Sequence, residues 1–83
     1  MTKETTLQVE LDGFTYALRG SGSEAKLRKT ADMVAQKIAA VRELCPHYST
    51  TRTAMLSALQ IAEEMLALQE EYEEMLEAAD IGK

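Results

Sequence analysis

Cysteine, histidine and proline occur once each in this chain, as Cys45, His47 and Pro46, and tryptophan is missing altogether. One cysteine excludes an intrachain disulfide. One Cys and one His, two positions apart, fall short of the four ligands of a structural zinc site, so no metal is expected. The same pair has no evident third group to orient it as nucleophile and base, and it reads as structural. A lone thiol suits a reducing compartment. The opening MTKETTLQVE has no apolar stretch of the signal-peptide kind, and no 18-residue apolar run appears anywhere. The expectation is a cytoplasmic protein with no membrane partner. At 83 residues a single core supplies little stability, and small domains lean on disulfides, metals or self-association. Only the last of these is left.

Lysine and arginine are absent from Thr53 through Gly82. The formal net charge of −5 is therefore polarised: residues 1–52 carry eight bases against six acids, and residues 53–83 carry eight acids against Lys83 alone. So acidic a half argues against nucleic acid or an anionic membrane as partner, since both demand a basic surface. Glu63-Glu64, Glu70-Glu71 and Glu73-Glu74 are paired carboxylates, but acid–base catalysis needs a pocket that shifts their pKa values. On a helix they make a solvated face. Gly20-Ser21-Gly22 lacks the spacing and the flanking elements of a phosphate-binding loop and reads as a linker. Neither an enzyme nor a cofactor is expected.

What is present is strong periodicity. Leu7, Val9 and Leu11 alternate with polar residues, as do Phe14, Tyr16 and Leu18 beyond Asp12-Gly13. Asp-Gly between two alternating runs predicts a hairpin with a type I′ turn. The register then pairs Leu11 with Phe14, Val9 with Tyr16 and Leu7 with Leu18, and all six share one face. The Gly20–Ser23 stretch is expected to end the second strand, with Ser21 (in a capping box with Glu24) or Ser23 opening a helix. Leu27, Ala31, Val34, Ile38 and Val41 mark one face of that helix, which Pro46 predicts to stop near Leu44. Ser49 or Thr50 caps a second helix, expected from about Thr51 to about Ala79 without a glycine or proline.

Along this second helix Ala58, Ile61, Met65, Leu68, Tyr72, Met75 and Ala79 recur at spacings of 3, 4, 3, 4, 3 and 4, the a and d positions of three heptads. Met55, Leu56, Leu59, Ala62 and Leu66 widen the apolar arc over the first half only. The fold class is therefore α+β: a two-stranded hairpin, one amphipathic helix, and a long helix forming an intermolecular coiled coil. Residues 1–60 are the expected head and 61–83 the expected stalk. Ala58, Ile61, Met65, Leu68, Tyr72 and Met75 are the expected oligomerisation residues, giving a dimer or, at high concentration, a tetramer that uses the extra width at Leu66 and Leu76. Acids near the C-terminal end oppose the helix dipole, so fraying is predicted beyond about Leu76. Lys26, Arg28 and Lys29, with Arg19 and Arg42 nearby, are either an ordinary solvated face or a contact patch for an acidic partner.

This order of elements resembles the short form of the ZapA family of bacterial cell-division proteins. Val9-Glu10-Leu11-Asp12-Gly13-Phe14-Thr15-Tyr16 and Gly20 look like the family's opening hairpin, and Leu27-Arg28 through Lys37-Ile38 like its first helix. Residues 50–64, TTRTAMLSALQIAEE, are similar to its most recognisable segment. Departures are Ser49 for the common Asp, Thr53 for a common apolar residue and Gln60 for the usual Asn. The resemblance implies a non-enzymatic partner of FtsZ, the tubulin-like GTPase of the division ring, acting in the cytoplasm at mid-cell. It further implies dimers, and in many members antiparallel dimers of dimers, whose heads bridge FtsZ filaments and promote ring assembly. Arg19, Lys26, Arg28 and Lys29 are the residues expected to touch FtsZ. The competing reading is a small acidic dimeric regulator, an antitoxin or adaptor, whose stalk docks on a basic protein.

Overall fold

A computed structural model describes residues 4–81. Residues 1–3 of the expected head and 82–83 of the expected stalk lie outside them. The order is β1 (Glu4–Leu11), β2 (Phe14–Ser21), α1 (Glu24–Leu44) and α2 (Thr50–Ile81).

The strands pair antiparallel with Leu11 opposite Phe14, Val9 opposite Tyr16 and Leu7 opposite Leu18, the register that the two-residue turn dictates. Asp12 (φ 54°) and Gly13 (φ 83°) both take positive φ, as a type I′ turn requires. Pairing continues past the alternating apolar residues to Glu4 opposite Ser21, so Gly20 and Ser21 belong to the strand and not to the break expected there. The reason is contact with α1. A Cβ on Gly20 would come within 3.0 Å of the Leu27 side chain, so glycine here permits close packing of strand on helix. The chain turns at Gly22, whose carbonyl accepts from the Thr5 hydroxyl at 2.9 Å.

Ser23, not Ser21, caps α1: its Oγ accepts from the Lys26 amide at 3.1 Å. Ser49 caps α2 in the same way, accepting from the Arg52 amide at 3.1 Å. Between the helices α1 closes at Leu44, and the Cys45 amide still bonds the Val41 carbonyl. α2 continues to Ile81, past the point where its unfavourable dipole predicts fraying. Nothing before Gly82 breaks helical geometry, and Ala78 and Ala79 favour it.

The core is small. Leu7, Ala31, Ile38 and Val41 are its buried apolar residues, where the inner face of β1 meets α1. Against α1, α2 sets Thr53 and Ser57, both buried, flanked by half-buried Thr50, Leu56 and Ile61. The side of α2 that meets its own head is thus centred on hydroxyls, with only Leu56 and Ile61 of its larger apolar residues partly covered. From Ala62 to Ala79 every residue is exposed. The molecule measures 53 Å along its longest axis, in keeping with a 32-residue helix of about 48 Å at about 1.5 Å per residue.

Candidate functional site

Two surfaces could carry function: the cationic part of the head and the apolar line on α2. Lys26, Arg28 and Lys29 occupy the first turns of α1, all exposed. Cations there oppose the positive end of the helix dipole, a local cost that α1 offsets only with Glu24. Among the described residues none of the three forms an ion pair. Arg19 sits elsewhere. It alternates with Leu18, whose face packs on α1, so Arg19 points from the outer face of the hairpin, opposite Thr6. Lys29 lies on the far side of α1 from the sheet. The four expected contact residues therefore divide into three on α1 and a separate arginine on the outer face of the hairpin.

Arg42 is not part of either. Its Nε donates to Asp12 Oδ1 at 3.0 Å and its second terminal nitrogen to Oδ2 at 2.6 Å, a bidentate pair across 30 residues. Its remaining terminal nitrogen donates to the carbonyls of Pro46 and Tyr48. One guanidinium thus ties the hairpin turn to the end of α1 and to the loop before α2. This corrects the grouping of Arg42 with a free basic patch: its fork is occupied inside the head. The Arg42 hydrogen bonds hold the Asp12 carboxyl below the usual carboxylate range, with a further one from Thr50, and Asp12 raises Arg42 in turn. Next to this knot the Arg52 guanidinium lies 4.3 Å from the centre of the Tyr48 ring. Lys37 pairs with Glu64, joining α1 to the root of the stalk.

Of the seam, Ile61 is half-buried and the rest is exposed: Ala58, Met65 at 57%, Leu68 at 66%, Tyr72 at 64% and Met75 at 71%. The seam begins inside the head. Ala58 and Ile61 form one wall of an open apolar trough of about 340 Å³, whose other walls are Val34 and Ile38 of α1 and Leu11 and Tyr16 of the hairpin. It then continues as a groove along Met65, Leu68 and Tyr72. The trough's only carboxylate is Asp12, already held by Arg42. Among the described residues no three His, Cys, Asp or Glu side chains gather where a metal could bind. No described helix is long and apolar enough to cross a membrane.

Sequence reasoning missed Thr53 and Ser57 as the contact with α1, because it follows oily residues and these are hydroxyls. The signal was their spacing with Thr50 and Ile61, a second stripe in phase with the helix.

A family model described as cell division protein ZapA matches residues 7–81. Curated relatives include the cell division protein ZapA of Geobacillus sp. (strain WCH70), 28% identical over 75 residues, covering 90% of this chain and 86% of the relative. That of Shouchella clausii (strain KSM-K16) is 32% identical over 65 residues, covering 78% and 83%. A solved ZapA mutant dimer from Geobacillus stearothermophilus shares the fold, with a TM-score of 0.71 at 32% identity, covering 96% of this chain and 93% of that one.

Proposed function

Because the chain belongs to the ZapA family of cell-division proteins, we propose that it binds FtsZ and cross-links its filaments, promoting assembly of the division ring at mid-cell. The head, residues 1–60, makes the contact, and the stalk, residues 61–83, joins copies so that two or four heads are displayed. The observation that carries this reading is the division of labour along α2. One end is fastened to a head by Thr53, Ser57 and the Lys37–Glu64 pair, and the other shows an uncovered apolar seam. A seam of a and d residues on a projecting helix is covered by another copy. A pair of heads on a stiff rod then meets a polymer at two points, and repeated weak contacts gain strength by avidity.

Lys26, Arg28 and Lys29 are the first candidates for the contact, because they are exposed, form no ion pair among the described residues and work against their own helix dipole. Arg19 is a second, separate point on the head. The deciding experiment is co-sedimentation with GTP-assembled FtsZ from the same organism. Wild-type protein should pellet and thicken the bundles, and reversing the charge at Lys26, Arg28 and Lys29 together should weaken pelleting severalfold while the oligomer stays intact. Absence of wild-type pelleting would overturn the function, and unchanged pelleting of the variant would move the contact away from α1.

A further inference from the structure

α1 has an outer surface that takes no part in holding the head together. Its covered line, Leu27, Ala31, Val34, Ile38 and Val41, is buried or half-buried on the side where α1 meets β1 and α2. At about 100° per residue, Lys26, Lys29, Met33, Ala40 and Leu44 fall within an arc of roughly 60°, centred about 125° round the helix from that line. All five are exposed, Met33 at 62% and Leu44 at 79%. Two neighbours border the strip with their polar groups already engaged. The Thr30 hydroxyl donates to the Lys26 carbonyl at 2.9 Å, and Lys37 is paired with Glu64 of α2.

The strip has an order along its length. Lys26 and Lys29 stand at one end, Met33 comes a turn later, and Ala40 and Leu44 close the other end. Charge thus gives way to oil over about 27 Å, at about 1.5 Å per residue. By the same helical arithmetic no carboxylate of α1 falls within about 70° of the strip's centre: Asp32 and Glu43 lie beyond one flank and Glu24 nearly opposite. Arg28, although it lies between the two lysines in sequence, projects about 135° from that centre and belongs to another face. Near the positive end of the helix dipole, a carboxylate brought from outside would relieve Lys26 and Lys29.

Spacing and charge together say what fits. A helix packed lengthwise needs an apolar residue every three or four positions, as the α2 seam supplies. On α1 the two large apolar residues are eleven positions apart, about 16 Å, with Lys37 between them. That is too sparse for a helix-on-helix core and suits a small contact with two apolar anchors beside a cationic corner. Methionine adapts its shape to what it meets. The complement of such a strip is acidic at the Lys26 end and apolar at the Leu44 end.

We propose that this strip is the docking face of α1 for a partner segment that is acidic at one end and apolar at the other. Its carboxylates lie on Lys26 and Lys29, and its apolar side chains lie on Met33, Ala40 and Leu44. The proposal rests on the FtsZ reading, names the chemistry of the segment that is gripped, and removes Arg28 from the contact. Each contact is small, as expected where strength comes from repetition along a polymer.

The test is co-sedimentation of full-length variants with GTP-assembled FtsZ from the same organism, each variant first checked for the wild-type oligomer by sedimentation equilibrium. Met33→Ser combined with Leu44→Ser should weaken pelleting about tenfold, and exposure of both side chains leaves the fold intact. Lys26→Glu combined with Lys29→Glu should weaken it as much, whereas Arg28→Glu should change it less than twofold. Wild-type pelleting of the serine variant would overturn the strip and leave the FtsZ reading standing. So would an Arg28→Glu loss equal to that of the two lysines. Failure of the wild type to pellet would overturn both. A photoreactive phenylalanine in place of Ala40 supplies a second readout. It should crosslink to a stretch of FtsZ that carries carboxylates and apolar residues, and a crosslink to the acidic residues 63–80 of a second copy would refute the proposed partner.

Discussion

Head and stalk belong to one chain, yet they are stabilised in different ways. The head holds itself: a hairpin fixed by its turn, a small apolar core, and an arginine that ties the turn to the loop between the helices. The stalk has almost nothing of its own. Past Glu64 none of its described residues forms an ion pair or a side-chain hydrogen bond, no lysine or arginine precedes Lys83 to pair with its glutamates, and from Ala62 to Ala79 its apolar residues are exposed. A helix of that kind depends on packing. One chain thus keeps its own bonds and buried residues in the head and leaves the stalk to draw its stability from packing.

The contrast can be broken at several points. Ile38 is buried within one copy, so Ile38→Ala should destabilise the head by about 2–5 kcal/mol at any protein concentration. Met75→Ala, on the exposed seam, should lower thermal stability only where the wild type is associated. Chemical denaturation across a range of protein concentrations separates them, and a concentration-dependent loss for Ile38→Ala would blur the division.

A second probe is acid. The Asp12 carboxyl is held below its ordinary value of 3.8, chiefly by Arg42, so the folded head binds that proton more weakly than the unfolded chain does. Its stabilising contribution is complete above the ordinary value and is lost as pH falls through the lowered one. Asp12→Asn should therefore lower the melting temperature at neutral pH and flatten its decline in the acid range. A variant that melts with the wild-type acid profile would show that the clasp does not set head stability.

The smallest expected effect is a gain. Thr53 is fully buried and its hydroxyl has no hydrogen-bond partner among the described residues, whereas the Ser57 hydroxyl donates to the Thr53 carbonyl at 2.8 Å. Thr53→Val keeps the shape and removes the unpaired group, so the head should become about 1 kcal/mol more stable. A loss of stability would mean that the hydroxyl has a partner after all.

How far each part could be read beforehand follows from the distance over which its cause acts. The hairpin register was legible from Asp12-Gly13 and six alternating residues because turn and pleat are local rules. The helix caps were narrowed to two candidates each for the same reason. The extra length of the strands was not, because Gly20 reads as a breaker until Leu27 is seen against it. Neither was the clasp: nothing near Arg42 names Asp12, 30 residues away. Arg19 was grouped with the lysines by nearness in sequence, although its alternation with Leu18 already assigns it to the other face.

The eighteen consecutive exposed residues from Ala62 to Ala79 make the stalk a ruler. Past Glu64 no contact with the head among the described residues fixes its length, and each residue adds about 1.5 Å while turning the seam by about 100°. Seven residues inserted there would lengthen the rod by roughly 10 Å and leave the seam almost in phase. One inserted residue would scarcely change the length but would aim the remaining seam away from its counterpart. The length of the stalk can therefore change in steps of a heptad without altering the head or the phase of the seam.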